Sequence, residues 1–289
     1  MLESIIINGL IISGVYALLA VGFSLIFGVA RIINLAHTAF YMLAAYLIFT
    51  FTTSLGLNLP LSIILSVIAV TIIGLFSYKL VIDPVRQHET TILIVTIAIA
   101  IIIQEVMLNQ YGGQSGGIPR LISGYTEIIG VKVTYQHLLT FGVAMIVLFG
   151  TWALLLKTKL GIAIRSTAQD REVANLTGIN VARIGMITMG IAVALAAIAG
   201  ALVAPLFTLQ PHMWTHPLVM ILAVVVLGGL GSIKGSLVGA FILGFAETSV
   251  VFGYSEGAFL KGAVALTIML IVILIRPQGL FGVAFEEER

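Results

Sequence analysis

The chain of 289 residues is 60% hydrophobic and only 9% charged, with a formal net charge of +2. Soluble domains carry about 25% charged residues, so this chain cannot cover a water-exposed globule and is predicted to lie in a bilayer. It contains no cysteine, which excludes disulfides, thiolate metal sites and cysteine catalysis. Its basic residues form no tract that would bind nucleic acid, and its first apolar stretch lacks the basic start of a signal peptide.

Apolar stretches suited to crossing a membrane recur along the chain. A spanning helix needs about 20 mostly apolar residues. The stretch 217–230 is short, so a broken or re-entrant helix near 217–235 would leave eight full spans instead of nine. We therefore predict an all-α, polytopic membrane protein of about eight to nine transmembrane helices, forming one domain over residues 1–289. The candidate spans are 5–27, 37–53, 61–82, 91–109, 137–156, 184–209, 217–230, 236–252 and 259–275.

Basic residues are distributed unevenly among the connections between these spans. With nine spans and the N-terminus outside, most of them fall on the cytoplasmic side, and only Arg120, Lys132 and Lys261 fall outside. Cytoplasmic connections are enriched in lysine and arginine. The pattern therefore predicts an external loop at about 110–136 and a cytoplasmic hairpin at about 157–183. A short alternating stretch within the external loop predicts a small hairpin strand.

Polar and glycine residues inside or beside the spans are candidates for a translocation path. The connection 31–37 carries polar groups that a plain turn would not need. The glycine run 228–235 is typical of a break between half-helices, an element that lines substrate paths in transporters. An acid within an apolar span is also a functional candidate. The candidate path residues are Asn34, His37, Gly228, Gly229, Gly231 and Glu247.

Two other features of the spans are interpreted as structural and not as parts of a translocation path. Glu105 is an acid near the end of its span and is expected to be paired with a neighbouring side chain. Small residues recur every four positions through 192–204, and in lipid this spacing lets helix backbones approach closely. We therefore expect the second feature to mark a helix–helix contact.

Motifs typical of enzymes are weak in this chain. A G-x-S-x-G match surrounds Ser115, but it falls in the external loop and not on the strand-to-helix turn that such a nucleophile needs. His212 and His216 have a spacing suited to a metal on a helix, but flanking prolines predict a loop there. The chain has no P-loop, so ATP hydrolysis by this chain is not expected.

The hairpin 157–183 carries signals for a short helix. Ser166 and Thr167 both fit the start of a capping box, and Asp170 favours the positive end of a helix. Gly178 is a natural C-terminal stop. These signals predict a helix of two to three turns at about 168–177.

The predicted helix would place Val173 and Leu176 on one side. A helix this short is marginal by itself in water. An apolar face on such a helix is therefore best explained by docking in a groove on a partner protein.

Several stretches resemble one family of transporters. The sequence EVANLTG at 172–178 resembles the E-A-A-x-x-x-G loop of ATP-binding-cassette (ABC) importer permeases. Stretches 8–18, 26–37, 161–180, 228–239 and 276–282 are similar to the permeases of branched-chain amino acid importers, in particular the H-type subunit. Val173 replaces the central alanine of the loop, and Thr38 stands where the family often has glycine.

The resemblance implies a transport subunit of the prokaryotic inner membrane that is not an enzyme and binds no cofactor. Its expected partners are a second related permease, two cytoplasmic ATPases that use the ATP, and an external substrate-binding protein. The hairpin would carry the helix that couples to the ATPases. The implied coupling residues are Arg165, Asp170, Arg171, Glu172, Val173, Leu176 and Gly178.

The expected substrates are branched-chain amino acids, and three alternatives stay open. Relatives in this family also import urea and short amides. A stand-alone secondary carrier and an intramembrane enzyme using Ser115 are the other readings. Because the spans hold no clear charged cage, selection is expected to rest on the external binding protein.

Overall fold

The computed structural model describes residues 2–86, 88–113, 116–128, 130–254 and 256–282. Ser115 and the C-terminal residues 283–289 lie outside the described residues. The described chain is helical apart from one hairpin and its connections. Its elements are α1 Leu2–Ala30, α2 His37–Thr53, α3 Leu59–Ser77, α4 Asp83–Val85, α5 Glu89–Tyr111, β1 Tyr125–Ile128, β2 Val131–Thr134, α6 Tyr135–Lys157, α7 Lys159–Gln169, α8 Arg171–Leu176, α9 Val181–Val203, α10 Thr215–Gly228, α11 Ile233–Gly253 and α12 Gly257–Ile275.

Seven helical segments in the described chain are long and apolar enough to cross a membrane: α1, α3 with α4, α5, α6, α9, α11 and α12. A π-helical turn at Tyr78–Ile82 joins α3 to α4. The apolar helix α10 has 14 residues, and α2 has 17. Each predicted span therefore corresponds to a helix, and the prediction of an all-α, multi-pass membrane protein is confirmed. The short stretch near 217–235 is a continuous short helix followed by a turn.

Helix α1 forms the centre of the molecule. It packs against α9 and α11 and also contacts α6 and α10. Within its most apolar 18 residues 83% are buried, whereas the corresponding figure for α12 is 6%. A helix that is apolar on all sides is suited to such a central position. The peripheral helices leave their apolar faces for lipid or for another membrane subunit.

Small residues bring the helices around this centre into backbone contact. A Cβ atom added to Gly200 in α9 would lie 2.1 Å from the carbonyl oxygen of Tyr41 in α2. Ala192 and Ala196, on the same face of α9, are fully buried. A Cβ added to Gly244 in α11 would lie 2.2 Å from the hydroxyl of Ser13 in α1. The predicted close helix packing through 192–204 is thus confirmed.

The segment 31–36 is irregular backbone at membrane depth. Helix α1 ends at Ala30, yet α2 begins at His37, whose ring lies against Gly22. Gly22 is eight residues before the end of α1, or about 12 Å along the helix axis. The chain therefore returns part of the way into the membrane before it resumes a helix. Non-helical backbone at this depth must be covered by protein, and here Ile32, Asn34 and Ala36 are buried.

A small sheet lies in the loop between α5 and α6. Strands β1 and β2 pair antiparallel, with Tyr125 opposite Thr134. An isolated bridge between Gly116 and Leu209 ties this loop to the connection between α9 and α10. The predicted hairpin strand is confirmed.

Candidate functional site

The segment 158–180 forms two short helices and not the single helix predicted at 168–177. The first, α7, is capped by the Thr158 side chain, which accepts a hydrogen bond from the Gly161 amide. Ser166 and Thr167, the predicted caps, lie inside α7. Asp170 has extended backbone angles that end α7, and its carboxylate then caps α8 by accepting bonds from the amides of Glu172 and Val173.

Helix α7 is anchored to the membrane helices, whereas α8 stands at the surface. Ile164 of α7 and Ala174 of α8 are buried. Val173 is 54% exposed and Leu176 is 85% exposed, so the two large apolar side chains of α8 face outward on one side, as predicted. Four of the predicted coupling residues are polar. The exposed ones are Arg165, Asp170 and Glu172, and Arg171 is half-buried.

The turn after α8 needs a glycine. Gly178 has a φ of +87°, a conformation that L-residues rarely adopt. The Gly178 amide donates to the Asn175 carbonyl, and the Ile179 amide donates to the Ala174 carbonyl. These bonds satisfy the last carbonyls of α8 and redirect the chain into α9. The predicted stop at Gly178 is confirmed.

The start of α8 contacts the C-terminal end of the central helix α1. The Arg171 guanidinium lies 3.4 Å from the Ala30 carbonyl, to which it donates. A cleft of about 540 Å³ opens beside this contact, with Arg86, Arg171, Glu172 and Asn175 along its walls. The coupling candidates and the end of α1 therefore meet at one surface.

The glycine run 228–235 is a closely packed turn. A Cβ on Gly228 would lie 2.3 Å from the carbonyl carbon of Gly235, so the backbones of α10 and α11 touch. Gly229 and Gly231 both have positive φ. The run interrupts the helix as the sequence indicated, because α10 ends at Gly228 and α11 begins at Ile233. Gly228 and Gly235 in addition form the contact between the two helices.

The C-terminal segment that follows α12 holds this turn in place. The amide of Leu280 donates to the carbonyl of Leu227, and the amide of Phe281 donates to the carbonyl of Gly228. A Cβ on Gly229 would lie 2.5 Å from the amide nitrogen of Gly282. The path candidates Gly228 and Gly229 are therefore enclosed by backbone.

Asn34 and His37 stabilise the irregular segment 31–36. The Asn34 side chain accepts a hydrogen bond from the Ala36 amide and lies 3.8 Å from the sulfur of Met189 in α9. His37 Nε2 lies 3.0 Å from the carbonyl of Leu19 in α1. Both residues are buried. Asn34 supplies an acceptor for an amide in the non-helical segment, and His37 ties the start of α2 to the middle of α1.

Glu247 lies in a polar cluster between four helices. Its side chain in α11 is buried, and its Oε2 accepts a 2.7 Å hydrogen bond from the Tyr16 hydroxyl of α1. Its Oε1 lies 3.7 Å from Nζ of Lys261 in α12 and 3.8 Å from Nε2 of His216 in α10. The cluster borders a cavity of about 670 Å³. The expectation that the spans hold no charged cage is therefore wrong at this point.

Sequence patterns did not reveal the partners of Glu247. Lys261 was predicted to be an external positive charge, and the family-like stretch 8–18 around Tyr16 gives no sign of an acidic partner. His216 was predicted to lie in a loop, but it falls in the first turn of α10, where Pro217 is tolerated because that amide needs no helical partner. Only the packing of α1, α10, α11 and α12 brings Tyr16, His216 and Lys261 to Glu247.

No metal site is found in the described part of the chain, because it holds no group of three or more metal-ligating side chains.

Comparisons with known proteins agree with the geometry of the chain. The family described as "Branched-chain amino acid transport system / permease component" matches residues 5–275. The high-affinity branched-chain amino acid transport system permease protein BraD of Pseudomonas aeruginosa is 31% identical, covering 96% of this chain and 94% of the relative. The corresponding protein LivH of Escherichia coli is 27% identical over 95% of this chain and 94% of its own.

A solved structure shares the fold. PsaBC from Streptococcus pneumoniae, in complex with a Fab, superposes with a TM-score of 0.52 at 17% identity, covering 94% of this chain and 91% of that chain. The family match spans nearly all of the described helices, including α7, α8 and the irregular segment 31–36. The chain therefore belongs to the permease component family of branched-chain amino acid transport systems.

Proposed function

We propose that this chain is the translocating permease subunit of an ATP-driven importer that carries branched-chain amino acids across the cell membrane. The observation that carries the proposal is the family match over residues 5–275, together with relatives named for branched-chain amino acid transport. The exposed apolar face of α8, in a connection between membrane helices, supports it.

The complete importer would contain a second related permease, two cytoplasmic ATPases and an external substrate-binding protein around this chain in the lipid bilayer. This chain would bind no cofactor and hydrolyse no ATP, which the ATPases would use instead. No nucleic acid is expected as a partner.

Energy coupling would pass through α8. Val173 and Leu176 supply an apolar surface that has no partner among the described residues. Arg165, Asp170 and Glu172 would form a polar rim around it. Because Arg171 contacts the Ala30 carbonyl, a movement of α8 would be transmitted to the C-terminal end of α1 and to the segment 31–36.

The translocation path would begin at the cavity beside Glu247. Leu19 lines this cavity, and its carbonyl contacts the ring of His37. The path would therefore pass from the cavity to the segment with Asn34 and His37. The glycine turn with Gly228, Gly229 and Gly231 lies farther along α10 and would act as a point where the helix ends can shift.

Reconstitution tests this function. The permeases, ATPases and binding protein are placed in vesicles, and uptake of radioactive leucine and of urea is followed with and without ATP. We expect leucine uptake that requires ATP and the binding protein. Uptake of leucine driven by an ion gradient without ATPases would support the secondary carrier instead, and ATP-driven uptake of urea without leucine uptake would support the amide importers.

A further inference from the structure

The cavity beside Glu247 has the composition of a small-molecule site. Its volume of about 670 Å³ falls within the range of 300–1,000 Å³ that is typical of ligand pockets. One wall is apolar and comes from the first half of α1, with Ile11, Val15 and Leu19. The imidazole of His216 in α10, the carboxylate of Glu247 in α11 and the ammonium of Lys261 in α12 converge on the other wall. A pocket with an apolar wall and a few convergent polar groups is the usual form of a site for an amphipathic ligand.

The charged groups of this wall are near one another but are not hydrogen-bonded. Lys261 and His216 lie 3.7 and 3.8 Å from Glu247 Oε1, beyond the 2.7–3.2 Å of a normal N–H···O hydrogen bond. His216 Nε2 is a buried atom with no hydrogen-bond partner among the described residues. Glu247 itself is only 2% exposed. A buried carboxylate oxygen and a buried ring nitrogen normally have hydrogen-bond partners, so Glu247 Oε1 and His216 Nε2 are positions that a ligand could use.

A zwitterion matches the arrangement of the unused groups. An ammonium group would donate to Glu247 Oε1, while a carboxylate would accept from Lys261 and His216. The side chain of such a ligand would then lie along the apolar wall of α1. Urea or a neutral amide carries no charge that could pair with Glu247 or Lys261, so the cluster favours an amino acid over these alternatives.

We propose that this cavity binds a zwitterionic α-amino acid with an apolar side chain, within a single permease subunit. The inference rests on the proposed function, because it assigns the place where the amino acid is held after it leaves the external binding protein. Glu247 receives its ammonium group and Lys261 its carboxylate. Tyr16 positions Glu247 by holding the other carboxylate oxygen.

Photolabelling tests the site directly. The complete importer is placed in lipid nanodiscs without its binding protein and irradiated with a leucine analogue that carries a diazirine in its side chain. Labelled peptides are then identified by mass spectrometry. We expect adducts on the first half of α1 or on the connection between α9 and α10, whose Leu206 and Phe207 also line the cavity. We expect excess leucine, but not urea, to abolish them.

Variants separate a ligand site from a structural ion pair. Glu247→Gln and Lys261→Met should each lower the adduct yield about tenfold or more at an equal amount of assembled importer, whereas Lys261→Arg should retain labelling. Glu105→Gln removes an exposed carboxylate from α5, away from the cavity, and should label as the unchanged protein does. Adducts found only outside the cavity, or equal yields in Glu247→Gln and the unchanged protein, would overturn the proposal.

Uptake by the same preparation keeps this inference distinct from the proposed function. ATP-driven leucine uptake without adducts in the cavity would disprove the site and leave the function standing. Adducts in the cavity without any leucine uptake would support the site and count against the function.

Discussion

The hydroxyl of Tyr16 in α1 donates a buried 2.7 Å hydrogen bond to Oε2 of Glu247 in α11. The two residues are 231 positions apart in the chain, and their helices share the most extensive contact in the described fold. The bond gives an acid inside an apolar helix a partner on the central helix. It therefore links the packing of the fold to the polar wall of the cavity beside Glu247.

Removal of this hydrogen bond should destabilise the protein. Tyr16→Phe leaves the buried carboxylate without its donor, and hydrogen bonds to charged groups contribute about 1.5–3 kcal/mol. We expect a lower midpoint of thermal unfolding in detergent, followed by circular dichroism. Tyr254→Phe is the control, because Tyr254 is exposed. Equal midpoints for the two variants would show that the bond contributes nothing to stability.

The contact between α9 and α2 should not tolerate even a methyl group. Gly200→Ala would press a Cβ against the Tyr41 carbonyl, and overpacking of this kind costs about 1–3 kcal/mol. Gly150→Ala in α6 is the matched control, because no described atom lies within 4 Å of its Cβ position. Alanine is favoured over glycine in helices, so the control should be at least as stable as the unchanged protein. The yield of folded protein after heating is measured for both variants. A Gly200→Ala variant as stable as the unchanged protein would refute the close contact.

The turn at Gly178 should require a residue that accepts positive φ. Gly178→Val meets no steric obstacle, since no described atom lies within 4 Å, so its cost is conformational. That cost is about 1–2 kcal/mol, which shifts the local equilibrium by roughly tenfold. We expect ATP-driven uptake to fall while the membrane helices stay folded. Gly178→Asn should retain most uptake because asparagine adopts this conformation more readily. Identical uptake by both variants would mean that the turn geometry is irrelevant to coupling.

The sequence was sufficient to predict the helices but not the arrangement of their ends. Apolar length predicted each span, and the spacing of Ala192, Ala196 and Gly200 predicted a packed face, because both depend on local composition. Gly178 was predictable since a stop signal is local to the helix. The division of the segment 158–180 into two helices was not predicted. Thr158 and Asp170 cap α7 and α8 in place of Ser166 and Thr167, because α7 packs on the membrane helices.

The charged cavity could not be predicted because it depends on long-range packing. Tyr16, His216 and Lys261 lie in three different helices, and no sequence pattern links any of them to Glu247. The return of the segment 31–36 toward the ring contact of His37 with Gly22 likewise depends on how α1, α2 and α9 pack. Asn34 and His37 are polar residues that a plain turn would not need, but their hydrogen bonds to backbone groups depend on the folded arrangement of the helices.

The orientation of the chain in the membrane is open to direct labelling. The chain has no native cysteine, so single cysteines can be introduced at Glu127 in β1 and at Asn175 in α8. The distribution of basic residues places β1 outside and α8 inside. An impermeant thiol reagent added to whole cells should label position 127 and should label position 175 only after the cells are opened. Labelling of position 175 in intact cells would reverse the topology.

Crosslinking between α8 and the ATPase tests the central claim most directly. Leu176→Cys places a thiol at the most exposed apolar position of α8, and Ala174→Cys places one at a buried position of the same helix. A short thiol-reactive crosslinker is applied to the assembled importer, whose ATPases carry introduced surface cysteines around their contact with the membrane subunits. We predict a crosslink from position 176 and none from position 174. An importer that transports leucine with ATP but never crosslinks from position 176 would contradict the docking of α8 on the ATPase.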